Sequence, residues 1–314
     1  VTFGKLKHKK STKLIGLSKP LPHIKKNSKL FSINDSKFEF RLLTSSKDSI
    51  TGISKSSFDL LQNQGLNIPN SSYNENLQYK IYKEFIKKIR KFNIDAIGLS
   101  FVQTSQLIKK IRNILPKIIL ISKIENYEGM KNYINIIDES DAIMIDRGDL
   151  AAEIGSYKLY NSIEDISKYT KEKGKPLIMA TENLQSMEKN LQPSKSEIMS
   201  IAHSSSIGVD CIMLSEETAI SKNLKNTVNW LYNFIKKIPN HPKIQINNTF
   251  FKYPELWSVL SNVPKLPIVI FSKTGYALFN GMSLNSEKNL YLFSKNNKIN
   301  KISMLFRKKI KVIK

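Results

Sequence analysis

A lysine and a glutamate stand two positions apart at the end of an apolar run, in the segment KIILISKIEN (117–126). The isoleucines of this run indicate a buried β-strand, and side chains alternate between the two faces of a strand. Lys123 and Glu125 therefore point to the same side. A lysine and a glutamate so placed are commonly a plain structural ion pair, so the pair alone leaves its role open.

Further polar residues stand at the ends of the next three apolar runs, which are DAIMIDRGD (141–149), PLIMATEN (176–183) and DCIMLSEET (210–218). Neighbouring parallel strands lie about 5 Å apart, so Glu125 and Asp149 can reach one cation. Two carboxylates that leave room for water and phosphate oxygens suit Mg²⁺. The sequence therefore predicts Glu125 and Asp149 as metal ligands. Lys123 would lie beside the metal as a point charge for an anionic group.

The segment RGDL (147–150) places Gly148 and Asp149 on a turn that can begin a short helix. Unpaired N–H groups at a helix N-terminus bind carboxylate or phosphate. The other polar residues at strand ends are Thr181, Ser215 and Glu217. Any one of them alone is more often a cap or a turn residue. Five polar strand ends around one rim favour a functional site.

Five short apolar runs position these residues, and each is followed by a helical pattern; the first run is DAIGLSF (95–101). Strands that alternate with helices predict parallel βα units with the helices outside. Barrels of this kind build their active sites where the strands end. A closed (β/α)8 barrel needs eight units. The sequence therefore predicts an α/β fold with an incomplete (β/α)8 TIM-type barrel.

Composition divides the chain into three parts. Residues 1–68 hold Gly, Pro, Ser and Lys around short alternating pieces such as KFEFRLLT, which predicts a small β-rich domain. The βα units occupy residues 69–240, and IPNHPK (238–243) is typical of a linker. In residues 241–314, LPIVIFS, NLYLFSK and KKIKVIK alternate with short helical stretches, which predicts a second α/β domain.

The net charge of +24 raises the possibility of a nucleic-acid partner. Residues 121–220, however, carry 17 acidic and 10 basic side chains. The lysines elsewhere are dispersed among Asn, Ser and Ile, rather than being arginines interleaved with aromatic residues. We therefore expect no specific nucleic-acid partner.

Other features of the chain indicate a soluble protein. No run approaches the length of a membrane span, so we expect no membrane partner. The single cysteine, Cys211, excludes an intrachain disulfide framework and lies in an apolar strand, typical of a core residue. The chain begins with Val1 and shows no signal-peptide pattern. We expect a fragment or processed form, located in the cytoplasm or, with an upstream targeting segment, in a plastid-type organelle.

Four segments resemble, in order and spacing, the motifs of the pyruvate kinase family: ISKIENYEGMKNY, DAIMIDRGDLAAEI, PLIMATENLQSM and PSKSEIMSIAHSSSIGVDCIMLSEETA. GLNIPN (65–70) resembles the segment that leaves the lid domain of that family, and DAIGLSFV resembles its fourth barrel strand. The resemblance implies a partial lid domain in 1–68, barrel strands four to eight in 69–240, and a partial C-terminal domain in 241–314. It also implies a homotetramer.

The resemblance implies transfer of the phosphoryl group from phosphoenolpyruvate to ADP in glycolysis, which gives pyruvate and ATP, with Mg²⁺ and K⁺ as cofactors. By match to the motifs, Glu125 and Asp149 would hold the Mg²⁺. Lys123 would stabilise the phosphoryl group in flight. The N–H groups of Gly148 and Asp149 would receive the substrate carboxylate.

Other matched positions imply which residues take part in the second step of the reaction, the protonation of the enolate. Thr181, with Ser215 and Glu217 behind it, would lie on the proton route to the enolate carbon. Ser100 and Phe101 would lie near the metal.

The chain departs from the family pattern at Gln103, Asp146, Ala151, Glu182, Asn183 and Glu216. Asp146, Glu182 and Glu216 add negative charge near a site for a trianionic substrate, at an unfavourable Coulomb energy. The first three barrel strands of the family have no counterpart here. Because they carry its substrate-binding arginine and most of its potassium ligands, we expect this chain alone to be inactive.

Two other interpretations stay open. One is a phosphoenolpyruvate/pyruvate-type lyase or aldolase on a related barrel, which would need the carboxylate pair but no lid. The other is a catalytically dead, basic binding protein that keeps the scaffold. The segment Ser272–Gly275 resembles the effector-phosphate loop of the family, and a simple strand-to-helix turn explains it equally well.

Overall fold

The computed structural model describes residues 1–4, 14–18, 20–24, 28–34, 37–60, 62, 64–238, 255, 266–283, 289–307 and 310–313. These residues form three β-sheets, of six, five and three strands. Most of the predicted linker 238–243 lies outside the described residues. None of the helices in the described ranges is both long and apolar enough to cross a membrane.

The six-stranded sheet is built from the first part of the chain. Its strands are β1 (Thr2–Gly4), β2 (Leu14–Gly16), β3 (Leu30–Ile33), β4 (Phe38–Ser45), β5 (Ser49–Ser54) and β6 (Leu66–Asn67), in the order β2-β1-β5-β4-β3-β6. The alternation in KFEFRLLT is that of a half-buried strand, in which Phe40 is buried and Arg41 is exposed. Phe31 and Phe40 stack with ring centroids 4.8 Å apart inside this sheet's core.

The five predicted apolar runs form the second sheet, in which all strands are parallel and lie in chain order. The strands are β7 (Ala96–Leu99), β8 (Ile119–Ile124), β9 (Ala142–Asp146), β10 (Leu177–Ala180) and β11 (Cys211–Ile212). This order confirms the prediction of parallel βα units and the α/β class.

Helices connect these strands. They are α1 (Glu75–Ile89), α2 (Ser105–Ile114), α3 (Tyr127–Lys131), α4 (Tyr133–Glu139), α5 (Arg147–Ile154), α6 (Ser156–Glu172), α7 (Lys195–Ser206), α8 (Glu216–Ala219) and α9 (Leu224–Lys237), with a short 3-10 helix over Gln185–Glu188. Ser194 is the N-cap residue of helix α7 and forms a capping box with Glu197, as the sequence PSKSE indicates. Leu107, Ile108 and Ile111 form the buried stripe of α2.

Alternation along the strands gives the five-stranded sheet two different faces. In β8, Leu120 and Ile124 face the core shared with the helices. Ile119 and Ile121 belong to a second core on the other face. Lys123 follows them on that face, because side chains two apart share a side.

The third sheet comes from the C-terminal part of the chain and covers the part of this second face that is nearer the amino ends of the strands. It contains β12 (Ile268–Phe271), β13 (Leu290–Phe293) and β14 (Ile310–Ile313), all parallel, with helices α10 (Tyr276–Ser283) and α11 (Asn297–Ser303). Ile299 and Ile302 of α11 pack in the same core as Ile119 and Ile178. The part of this face at the carboxyl ends of the strands carries the polar residues.

Candidate functional site at the carboxyl ends of the strands

Strand register brings the predicted polar residues to one edge of the five-stranded sheet. Lys123 of β8 pairs with Met144 of β9, and Ala180 of β10 pairs with Asp146 at the end of β9. Because the strands are parallel and adjacent, the residues at their carboxyl ends converge. Glu125 follows β8 directly, and Thr181 follows β10.

Three carboxylates meet at this edge. Glu125, Asp146 and Asp149 each offer one oxygen, and these oxygens all lie within 4.8 Å of one another. The structure thus brings together the two residues predicted as metal ligands and adds Asp146, which sequence reasoning treated only as a departure from the family pattern. Asp146 lies on the same face of β9 as Ala142 and Met144. The strand alternation therefore contained the signal for its position.

Lys123 lies among these carboxylates. Its Nζ is 2.7 Å from Oε2 of Glu125 and 3.1 Å from Oδ2 of Asp146. Burial alone would lower the pKa of Lys123, but the charges of Glu125 and Asp146 outweigh burial and raise this pKa. Lys123 therefore carries its positive charge at any physiological pH.

Glu125 is fully buried, and its surroundings oppose its charge. Burial raises the pKa of Glu125 to about 7, although Lys123 acts in the opposite direction, and Asp146 and Asp149 raise it further. Its Oε1 accepts a hydrogen bond of 2.6 Å from the backbone N–H of Phe101. That contact places Phe101 beside the carboxylates. A second positive charge at this edge would favour the ionised form of Glu125.

The donor set fits a hard divalent cation. Carboxylate oxygens are the protein ligands that Mg²⁺ prefers, and Mg²⁺ sites usually use one or two carboxylates together with water and substrate oxygens. The cluster holds three negative charges and one lysine, so a divalent cation would bring it close to neutrality.

Asp149 also connects the site to the six-stranded sheet. Nδ2 of Asn67, the last residue of β6, donates a 2.9 Å hydrogen bond to Oδ1 of Asp149. Asn67 is buried. Sequence reasoning missed this residue, because the contact joins positions 82 residues apart and leaves no local pattern.

Thr181 adopts an unusual backbone conformation beside the cluster. Its φ is +59°, and the φ of the following Glu182 is +50°. A β-branched residue in the left-handed region is strained, so the surroundings must hold it there. The Thr181 hydroxyl donates to Oδ1 of Asp146 at 3.0 Å and accepts from the N–H of Gly148 at 3.1 Å. The Gly148 N–H, predicted to receive a substrate carboxylate, is therefore bonded to Thr181 in this state.

Arg147 holds the strained segment and was also missed. Its guanidinium donates to the carbonyl oxygen of Thr181, to Oδ1 of Asn183 at 2.9 Å, and to the hydroxyl of Ser200. Burial lowers the pKa of Arg147, although Glu182, Asp146 and Glu217 act against it. The arginine of R-G-D gave a signal in the sequence, but only its glycine and aspartate were assigned roles.

Ser215 and Glu217 lie at the next strand end and are not hydrogen-bonded to Thr181. Ser215 is the N-cap residue of α8, and its carbonyl oxygen accepts from the N–H of Thr218 at 3.1 Å. Glu217 is buried, and among the described residues its Oε1 has no hydrogen-bond partner. The structure therefore brings together Lys123, Glu125, Gly148, Asp149 and Thr181, with Ser215 and Glu217 one strand further on.

Of the three departures that add negative charge, only Asp146 enters the site. Its side chain is 7% exposed, whereas Glu182 and Glu216 are exposed. Another departure, Gln103, takes part in a local clamp, because its amide both donates to and accepts from the backbone of Tyr73 at 2.8 Å.

A second buried carboxyl group lies on α5, one turn beyond Asp149. Glu153 is fully buried, and burial raises its pKa to about 8. The backbone amides of Tyr127 and Ile68 act in the opposite direction. Neither Glu153 oxygen makes a hydrogen bond of good geometry within the described part of the chain. Glu153 therefore carries a proton near neutral pH.

A cleft of about 620 Å³ lies beside this site rather than in it. It is lined by residues of the six-stranded domain, including His23 and Lys47, and by Ser72, Tyr73 and Asn74. Tyr73 connects the cleft to the site, because its ring lies 5.2 Å from that of Phe101.

Comparison with known proteins agrees with the resemblance of the motifs. The family model for the pyruvate kinase barrel domain matches residues 4–228. A pyruvate kinase of Borreliella burgdorferi is 31% identical over 219 residues, which cover 68% of this chain and 46% of the relative. A pyruvate kinase of Dictyostelium discoideum is 41% identical over 131 residues, which cover 40% of this chain and 26% of the relative. The matched region therefore spans less than half the length of these relatives.

A solved structure shows the same fold. A crystal structure of a pyruvate kinase from Cryptosporidium parvum superimposes with a TM-score of 0.74 at 23% sequence identity. The superposition covers 99% of this chain and 69% of the other.

Proposed function

Because the chain belongs to the pyruvate kinase family, we propose that it is part of an enzyme that transfers the phosphoryl group of phosphoenolpyruvate to ADP, giving pyruvate and ATP in glycolysis. The observation that supports this proposal best is the position of Lys123. Its Nζ pairs with Glu125 and Asp146, two of the three carboxylates at the carboxyl edge of the described sheet, and Asp146 connects it to the hydroxyl of the strained Thr181.

The same proposal gives the parts of the chain their roles. Residues 1–68 are a partial lid domain, residues 69–240 provide strands four to eight of an incomplete (β/α)8 barrel, and residues 241–314 are a partial C-terminal domain. The six-stranded sheet ends at Asn67, and the five parallel strands lie between 96 and 212, which supports these boundaries. A homotetramer is proposed from the family, as is a cytoplasmic location, or a plastid-type organelle if an upstream targeting segment exists. We also propose that no specific nucleic acid is bound.

Glu125 and Asp149 hold Mg²⁺ in this proposal, and Mg²⁺ supplies charge neutralisation at the oxygens of the substrate. The fit rests on the distance between the carboxylate oxygens and on their burial. K⁺ is proposed from the family alone, and no residue of this chain is assigned to it.

Lys123 stabilises the phosphoryl group as it moves. In phosphoryl transfer the charge spreads over the oxygens of the transferred group, so catalysis is mostly positioning and charge neutralisation. Lys123 is held in position by two ion pairs and remains charged, so it provides a fixed positive charge. Its neutral replacement should therefore lower the rate by about 10²–10³-fold.

Thr181 delivers the proton to the enolate carbon, and its backbone conformation aims the hydroxyl at the space beside Asp146. Gly148 and Asp149 receive the substrate carboxylate through their N–H groups, which requires the bond from Gly148 to Thr181 to open. Ser215 and Glu217 support the proton route from the neighbouring strand end.

The test is a lactate-dehydrogenase-coupled assay with Mg²⁺ and K⁺. We expect no turnover by the 314-residue chain alone, because strands one to three have no counterpart in it. A full-length protein that contains this chain should turn over, and Lys123→Met should lower its kcat by about 10²–10³-fold. A matched control is Lys168→Met, which removes an exposed lysine from the middle of α6.

Two results would contradict the proposal. Full activity after Lys123→Met would return this lysine to the role of an ordinary ion pair. Consumption of phosphoenolpyruvate in the absence of ADP would indicate the lyase alternative.

A further inference from the structure

Asp146 contacts two side chains that act in the proposed function. Lys123 stabilises the phosphoryl group as it moves, and Thr181 delivers the proton. Its Oδ2 lies 3.1 Å from Nζ of Lys123, and its Oδ1 accepts the Thr181 hydroxyl hydrogen bond of 3.0 Å. Asp146 ends β9, between the strands that carry its two partners. It is therefore a bridge across three neighbouring strands.

Through this contact Asp146 partly neutralises Lys123, the positive charge at this edge of the sheet. Lys123 has two carboxylate partners, Glu125 at 2.7 Å and Asp146 at 3.1 Å. All three side chains are largely buried, with exposures of 18%, 0% and 7%. Charges in such surroundings interact more strongly than charges in water. An incoming phosphate must therefore compete with Asp146 for the ammonium group.

We propose that Asp146 is a positioning and specificity-determining residue that restrains Lys123 and the Thr181 hydroxyl and weakens the binding of anionic substrates. This inference rests on the proposed function for the identity of the substrate, but not for the binding effect itself. The anion that experiences the effect is any phosphate group that reaches Lys123, either on phosphoenolpyruvate or as free inorganic phosphate.

The test measures the affinity of the chain for inorganic phosphate and for phosphoenolpyruvate by isothermal titration calorimetry, first without Mg²⁺ and then with it. Asp146→Asn keeps the size of the side chain and an acceptor for the Thr181 hydroxyl, and removes one negative charge. We expect both ligands to bind roughly 10- to 100-fold more tightly to this variant. Asp146→Ala, which removes the acceptor as well, should show the same gain if the charge is responsible.

Two controls separate the bridge from a general change of charge. Glu182→Gln removes the same charge from an exposed side chain that follows Thr181, and it should change the affinity less than about 3-fold. In the double variant Asp146→Asn with Lys123→Met, the gain should disappear, because the released lysine is absent. Thermal unfolding of each variant shows whether it is folded.

The outcomes discriminate clearly. Unchanged or weaker phosphate binding by the folded Asp146 variants overturns the inference, and so does a gain that survives in the double variant. If instead the variants lose affinity only when Mg²⁺ is present, Asp146 is a ligand of the cation and not a restraint on Lys123, which also overturns it. Tighter phosphate binding together with no turnover by the full-length protein in the coupled assay would support the inference while contradicting the proposed kinase.

Discussion

Acidic residues stand at both ends of the five-stranded sheet, and the two ends differ in how those charges are satisfied. At the amino ends, Asp141 and Asp210 precede β9 and β11. At the carboxyl ends, Glu125 and Asp146 face the same side as Lys123. The residue types are the same, so the comparison isolates the effect of their partners.

Each aspartate at the amino ends has several donors. Asp141 accepts from the N–H of Leu120 at 2.8 Å and pairs with Arg112 at 2.6 Å and with Lys298 at 2.8 Å. Its Lys298 partner comes from α11, so this charge also attaches the C-terminal sheet. Three donors, two of them positively charged, therefore converge on Oδ2 of Asp141 and balance its charge without a further cation.

Asp210 shows the same pattern. It accepts from the N–H of Leu177 at 2.9 Å and pairs with Lys171 at 2.6 Å. The backbone N–H of Arg307 donates to its other oxygen at 3.2 Å. The aspartate therefore joins two strands, one helix and the C-terminal part of the chain.

The carboxyl ends hold more negative than positive charge. Glu125 and Asp146 share Lys123, an oxygen of Asp149 lies within 4.8 Å of theirs, and burial raises the pKa of Glu125 to about 7. This difference indicates which end of the sheet holds the functional site. Balanced buried charges hold the structure together, whereas a buried excess of one sign identifies the edge that can bind an ion or a charged substrate.

The largest expected effect tests the structural role of the amino ends. Lys171→Met leaves Asp210 buried without its cation, so the free energy of unfolding should fall by about 3–5 kcal/mol. Both side chains are less than one tenth exposed. Urea unfolding followed by circular dichroism measures the loss, and Lys168→Met on the same helix is the exposed control.

A loss below about 1 kcal/mol for Lys171→Met would show that this pair behaves like a surface pair. The structural interpretation of the amino ends would then be wrong, and the contrast with the carboxyl ends would disappear.

Local patterns in the sequence were sufficient for the strands and for part of the site. The alternation in KIILISKIEN fixed which side Lys123 shares with Glu125, and the chain order of the five runs became the order of the strands. Both features depend on residues close together in the chain. They are therefore readable without knowledge of tertiary structure.

Contacts between distant segments could not be predicted in this way. Asn67 reaches Asp149 from another sheet, and α11 covers the five-stranded sheet near the amino ends of its strands. Asp146 was noticed for its charge, but its bond to Thr181 depends on the strained backbone at position 181. No periodic pattern reports a residue in the left-handed region, because its neighbours in space impose it.

A smaller effect is expected at Glu153, close to the carboxyl ends. Its pKa of about 8 in the folded protein lies above its unfolded value near 4.5. The stability that this proton contributes is fully present below about pH 4.5 and is lost as the pH rises toward 8. The free energy of unfolding of the wild-type protein should therefore fall by roughly 2–4 kcal/mol between pH 5 and pH 8 because of this group, and Glu153→Gln should remove that fall.

Urea titrations at the two pH values measure this difference. Glu197→Gln is a control of opposite sign. Burial acts to raise the pKa of Glu197, but hydrogen bonds from Ser186 and Ser194 outweigh it and lower this pKa. Its replacement should lose stability at neutral pH. If Glu153→Gln leaves the pH dependence unchanged, the raised pKa assigned to Glu153 is wrong.

The smallest effect is expected for the exposed pair at the amino ends. Lys301 of α11 pairs with Asp95, and their side chains are 33% and 56% exposed. Exposed pairs contribute about 0–1 kcal/mol and are screened by salt. Lys301→Ala should therefore cost less than about 1 kcal/mol, and the cost should vanish in concentrated NaCl. Lys298→Ala is the matched comparison on the same helix, because its pair with Asp141 is only 16% and 14% exposed.

Lys298→Ala should cost more than Lys301→Ala and less than Lys171→Met, since Asp141 keeps Arg112 and the Leu120 N–H as donors. Unfolding curves of the three variants at low and high salt measure the series. The order follows from burial and from whether a positively charged donor remains, and not from the distance within each pair: Asp141 keeps Arg112, whereas within the described ranges Asp210 keeps only backbone N–H donors. Equal losses for all three would mean that burial does not decide the strength of these pairs. The amino ends would then no longer serve as the balanced reference against which the excess charge around Lys123 is judged.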